Sequence, residues 1–60
     1  MIEITYFIDD QKPVDKKYTG DSAGLSATLD MDAHIRRGGW CLAEYQGKSV
    51  IVSNIAQLGF

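Results

Sequence analysis

Sixty residues make room for one domain, and a chain of this length buries only about 60% of its unfolded surface, so its stability is marginal unless something staples it. No staple is available: a single cysteine, Cys41, excludes an internal disulfide, and Cys41 with the one histidine, His34, cannot complete a four-ligand zinc site, so no metal and no cofactor are expected. A net charge of −2 gives no field that would draw the chain onto nucleic acid or an anionic membrane, and no apolar run is long enough to span a bilayer. Met1 leads directly into alternating Ile2, Glu3, Ile4 and Thr5 with nothing resembling a signal peptide. The expectation is one small domain over residues 1–60, a complete small gene product working in the cytoplasm.

Residues 2–8 (IEITYFI) read as the first strand, with Ile2, Ile4, Tyr6 and Ile8 on one face and Glu3, Thr5 and Phe7 on the other. Asp9-Asp10-Gln11-Lys12-Pro13 collects turn formers, and Pro13 lacks the N–H that a central strand needs, so the strand stops there. Residues 14–19 (VDKKYT) are expected to return as a short edge strand with Val14 and Tyr18 inward; Asp15, Lys16 and Lys17 suit an edge that must not aggregate.

From Gly20 to Gly39 two periods compete. Leu25, Ala27, Leu29, Met31, Ala33 and Ile35 alternate with polar residues as in a long strand, whereas Ala, Leu, Met and Arg favour a helix and Asp is depleted from strands. Boundary residues favour a helix over at least the second half: Thr28 or Asp30 as N-cap, Asp32 in the first turn, Arg36 and Arg37 in the last, and Gly38 just past the end. Within it Ala27, Met31 and Ile35 share a face that Leu29 and Ala33 widen.

Trp40 to Asn54 (WCLAEYQGKSVIVSN) reads as a β-hairpin about Gln46-Gly47, where Gly takes a positive φ at little cost. A two-residue loop pairs Tyr45 with Lys48, Ala43 with Val50, Leu42 with Ile51 and Trp40 with Ser53; Gln is not the preferred first residue of a type I′ turn, and the alternative, a three-residue loop, re-pairs every one of them. One face then carries Trp40, Leu42, Glu44 and Ile51, and the other Cys41, Ala43, Tyr45, Val50 and Val52. Both faces are apolar, so the hairpin is either central in the fold or covered on its second face by a partner. The small side chains of Cys41 and Ala43, with Val50 and Val52, would admit a helix closely, and Ile55, Leu58 and Phe60 are placed to fold back over the other side. The fold class expected is α+β: an antiparallel sheet of three to four strands with one short helix between residues 22 and 38.

The alternative is an all-β small barrel. Trp40, Ala43, Gly47 and Ser53-Asn54 followed by the apolar Ile55 resemble the second half of an SH3 domain, where a Trp, a small residue, a hairpin glycine and Ser-Asn recur in that order. The chain departs from that pattern at Val52, which stands where the family has a proline, in a spacing from Gly47 one residue short, and in residues 2–8, which lack the aromatic-acidic opening. The resemblance implies a groove for extended peptides with Trp40 and Tyr6 in it.

Chemistry-bearing residues are few. His34, Cys41, Asp30 and Asp32 are the groups a catalytic site could use; a helix would set Asp30 and His34 one turn apart, a spacing that more often supports a helix than performs acid–base work, and no enzyme is expected. Gly38-Gly39 is better explained as a helix end than as a phosphate loop, although Arg36 and Arg37 beside it could bind an anion. The functional expectation is a protein-interaction module, an inhibitor or adaptor of the kind that phages and mobile elements encode, with Trp40, Leu42 and Ile51 as its apolar centre and Arg36, Arg37 and Glu44 at its rim. A homodimer through the same patch is the simplest variant. The competing class is a nucleic-acid binder in which His34, Arg36, Arg37 and Lys48 meet phosphates while Trp40 and Tyr45 stack on bases; the overall charge argues against it.

Overall fold

The computed structural model of the chain describes residues 1–54. Four strands, β1 (Ile2–Phe7), β2 (Val14–Tyr18), β3 (Trp40–Tyr45) and β4 (Lys48–Val52), form one open antiparallel sheet in the order β2-β1-β3-β4, and a single helix, α1 (Ala23–Arg36), crosses one face. This is the α+β arrangement, and the helix replaces the long strand that an SH3-like barrel requires over residues 22–37. Strand β1 stops one residue short of the expected Ile8, and the proposed cover by Ile55, Leu58 and Phe60 lies outside the described residues.

The β3–β4 hairpin has the register that a two-residue loop dictates, with Tyr45 opposite Lys48, Ala43 opposite Val50 and Leu42 opposite Ile51. Gln46 and Gly47 both have positive φ, 51° and 73°, the combination that matches the turn to the right-handed twist of the flanking strands. The β1–β2 turn is closed by the Gln11 N–H donating to the Ile8 carbonyl at 3.3 Å, with Asp10 at φ 64°, a conformation that Asp tolerates better than most residues.

The helix buries Ala27 and Met31 completely and His34 nearly so, a spacing of four and three residues that matches 3.6 residues per turn. Against them lie Ile4, Tyr18, Cys41, Ala43 and Val52 from all four strands, with Ile2, Tyr6, Ala23, Ile35 and Tyr45 packed around the edge. The fully buried Cys41 and Ala43 are the small residues that let the helix approach β3. Burial of Ile4, Met31 and Val52 contributes about 1.5–3 kcal/mol each, the main source of stability in a chain this short.

Three expectations are corrected by this packing. The helix starts at Ala23 behind Ser22 and not at Thr28 or Asp30; Ser22 makes no side-chain cap bond and the first turn holds no acidic residue, so the usual start signals are absent. Thr28 is inside the helix, its hydroxyl donating to the Gly24 carbonyl at 2.8 Å. Leu29 and Ala33 do not widen the buried stripe: Leu29 is 60% exposed and Leu25 65%, on the side away from the sheet. Val14 stands on the helix side of the sheet opposite Tyr6, as expected, but it lines an open groove and not the core, and stays 60% exposed.

The helix ends as the sequence indicates. Gly38 adopts φ 95°, its N–H donates to the Ile35 carbonyl at 2.9 Å, and the Gly39 N–H donates to the His34 carbonyl at 3.2 Å. This paired closure satisfies two carbonyls that the helix leaves without partners. It also turns the chain sharply enough for β3 to start at Trp40 beside the end of β1.

Candidate functional site

The strand alternation divides the sheet into two surfaces with different chemistry. On the face away from the helix, the register places Lys17, Glu3, Glu44 and Ser49 in one row, Asp15, Thr5, Leu42 and Ile51 in the next, and Phe7 beside Trp40 in the third. The rings of Phe7 and Trp40 are stacked, with centroids 4.1 Å apart and planes within 9° of parallel. Trp40 stays 40% exposed and Ile51 59% exposed, and no described helix or strand lies over this face. The polar margin is ordered: the Thr5 hydroxyl donates to Asp15 at 2.7 Å. Glu3 and Glu44 are directly opposite each other, and Lys17 flanks Glu3 on its other side in the same row, so the row carries a net negative charge that one lysine only partly offsets.

The second surface is a groove on the helix side, about 470 Å³, between the 8–13 turn, β2 and the C-terminal half of α1. A chain of hydrogen bonds crosses its floor. Lys16 Nζ lies 2.9 Å from Asp30 Oδ2, the Tyr18 hydroxyl donates to the same oxygen at 2.7 Å, and the Tyr6 hydroxyl donates to Tyr18. Burial pushes the Tyr6 phenol up to about 12 and, with its bonds to Tyr6 and Asp30, pushes Tyr18 well above the ordinary phenol range. The bonds from Lys16 and Tyr18 hold the Asp30 carboxyl below the usual carboxylate range. His34 Nε2 donates to the Phe7 carbonyl at 2.7 Å, and its ring meets Tyr6 edge-on with centroids 5.1 Å apart.

Of the residues singled out from sequence, Trp40, Leu42, Glu44 and Ile51 do share one face, and Phe7, absent from that set, completes it. The signal for Phe7 is in the β1 alternation, which puts Glu3, Thr5 and Phe7 together; only the β1–β3 register shows that this is the Trp40 side. Arg36 and Arg37 are not at its rim. Arg36 pairs with Asp32 at 3.0 Å along the helix, and Arg37 lines the groove on the other side of the sheet. Sequence proximity to Trp40 misleads here, because Gly38-Gly39 reverses the chain between them.

Trp40 and Tyr6 occupy opposite faces and cannot line one peptide groove. The residues of the nucleic-acid reading are scattered too: His34 is buried, and Trp40 and Tyr45 point to opposite sides of β3. Asp30 and His34 bond to other groups and not to each other. Among the described residues no cluster of three or more His, Cys, Asp or Glu could hold a metal ion, and burial raises the Cys41 thiol to about 11, a value that keeps it unreactive at neutral pH. Comparison with protein-family models, curated proteins and solved structures gives no match.

Proposed function

We propose that this chain is a protein-interaction module that docks through the open face of its sheet. The observation that carries the reading is the Phe7–Trp40 stack, which continues into Leu42 and Ile51 on a face with no described element over it. Such a patch, an aromatic anchor with aliphatic neighbours and a charged margin, is the composition of a binding centre. Glu3 and Glu44, with only Lys17 beside Glu3 to offset them, leave that row of the face net negative, which suits an apolar segment flanked by Lys or Arg. An inhibitor or adaptor role requires only that a partner's surface be occupied, and fits a face built from packing groups.

A photo-reactive side chain at Ser49, beside Glu44 on the open face, tests this against the same group at Leu25 on the outer side of the helix. The expected result is a crosslink from Ser49 to a separate protein that is lost on Leu42→Asp and absent from the Leu25 position. Crosslinks from Ser49 only within the chain, or only to a second copy of it, overturn the reading in favour of self-cover or a homodimer.

A further inference from the structure

The helix-side groove has no part in that docking face, and its charge is out of keeping with the chain. Three of the six Lys and Arg residues line it, Lys12, Lys16 and Arg37, but only one of the eight acidic residues, Asp30. A protein of net charge −2 thus concentrates a local excess of two positive charges in one concavity. Asp30 is already engaged by Lys16 and Tyr18. Lys12, from the 8–13 turn, and Arg37, from the end of the helix, make no ion pair among the described residues. They arrive from different elements, so they are separate walls of one site and not neighbours in a charged run.

The floor between them is of another kind. The Tyr6 ring and the His34 imidazole meet edge-on, and each is fixed by a bond of its own, Tyr6 to Tyr18 and His34 to the Phe7 carbonyl. A floor held this way is preorganised: an aromatic body can pack against the Tyr6 ring without first ordering the side chains. Two unpaired cations around such a floor select a ligand that is anionic at one end and flat at the other.

We propose that this groove is a binding site for a small organic anion, a phosphate or carboxylate carried on an aromatic body, with Arg37 and Lys12 meeting the anionic group and Tyr6, braced from behind by the buried His34, meeting the ring. The volume of about 470 Å³ suits a molecule of that size. Arg37 supplies the planar fork that matches phosphate or carboxylate oxygens, and Lys12 a second, point-like charge.

The test is a titration of the ¹⁵N-labelled protein with phenyl phosphate, and in parallel with inorganic phosphate, at low salt. Saturable shifts at Tyr6, Lys12, His34 and Arg37, with phenyl phosphate binding more tightly than inorganic phosphate, are expected. Arg37→Ala and Lys12→Ala each weaken binding, Arg37→Ala by about tenfold or more, as for a lost hydrogen bond to a charged group. Arg36→Ala, which breaks only the exposed pair with Asp32, leaves it unchanged. The proposal is overturned if no saturable shift maps to the groove, if Arg36→Ala weakens binding as much as Arg37→Ala, or if inorganic phosphate binds as well as phenyl phosphate.

Discussion

Gly39→Ala is the substitution from which the structure predicts the largest effect for the fewest atoms. A Cβ built on Gly39 would lie 2.2 Å from His34 Nε2, 2.5 Å from Cδ2 and 2.7 Å from the Phe7 carbonyl oxygen, all far inside van der Waals contact. The ring, itself 7% exposed and bonded to that carbonyl, must leave its place. The loss comprises the hydrogen bond, a carbonyl left without its partner and the packing of the imidazole, together about 2–4 kcal/mol. A domain of 60 residues has roughly 3–9 kcal/mol in all, so the variant should lose a large share of its stability and its Tm should fall by on the order of 10 °C or more. Urea denaturation followed by Trp40 fluorescence measures it, since the Phe7–Trp40 stack reports on the same end of β1. Gly38→Ala is the control: open space surrounds its Cβ, but φ 95° leaves only backbone strain of about 1–2 kcal/mol. In the double variant His34→Ala/Gly39→Ala the contacts with the ring are gone and only the approach to the Phe7 carbonyl oxygen remains, so the two losses should fall short of their sum by about 1 kcal/mol, the coupling expected of side chains in contact. Additive losses, or a Gly39→Ala effect no larger than that of Gly38→Ala, would refute the reasoning.

Three further outcomes follow from the groups buried around the helix. Tyr6 and Tyr18 have folded-state pKa values above the unfolded 10, so their stabilisation is complete below pH 10 and is lost as pH rises from there through about 12; Tyr18→Phe should flatten that alkaline limb of a stability-versus-pH curve. Asp30 is shifted the other way, so its contribution is present above the ordinary carboxylate pKa of 3.8 and is lost as pH falls below it; because the Lys16 pair is exposed the loss should be small, under about 1 kcal/mol, and absent in Asp30→Asn. Cys41, fully buried with a raised thiol pKa, should react with a disulfide reagent only through opened molecules, so at fixed reagent concentration its labelling rate should rise with urea in step with the opened population.

The sequence carries its strongest signals where local chemistry and burial agree. Gly47 marks the hairpin turn because it takes positive φ freely, and Gly38 stops the helix for the same reason; Gln46, a non-glycine residue held at φ 51°, leaves a three-residue loop open until the strand pairing fixes the register. The helix start is hidden, since Ser22 caps nothing with its side chain and Gly24 weakens the first turn. The alternation of Leu25 to Ile35 imitates a strand because two large apolar residues, Leu25 and Leu29, sit on the exposed side, so the true 3.6-residue stripe of Ala27, Met31 and His34 is masked. Tertiary register accounts for what remained illegible in the sites. Phe7 joins Trp40 only through β1–β3 pairing, and Arg37 leaves it only through the reversal at Gly38-Gly39. The groove could not be read at all, because Lys12, Lys16 and Arg37 come together only across the sheet and helix.

The central claim, that the Trp40 face of the sheet is a docking surface and not core, rests on the alternation along β3. Leu42 and Ala43 are neighbours in the chain and point to opposite faces, Ala43 being fully buried beneath the helix. The most direct measurement is the urea denaturation of Leu42→Asp against Ala43→Asp. The account predicts that Ala43→Asp fails to fold, since it sets an unpaired charge in the core, while Leu42→Asp keeps a cooperative transition and loses no more than about 1–2 kcal/mol. Unfolding of Leu42→Asp to the same extent as Ala43→Asp would contradict it and make the face part of the core.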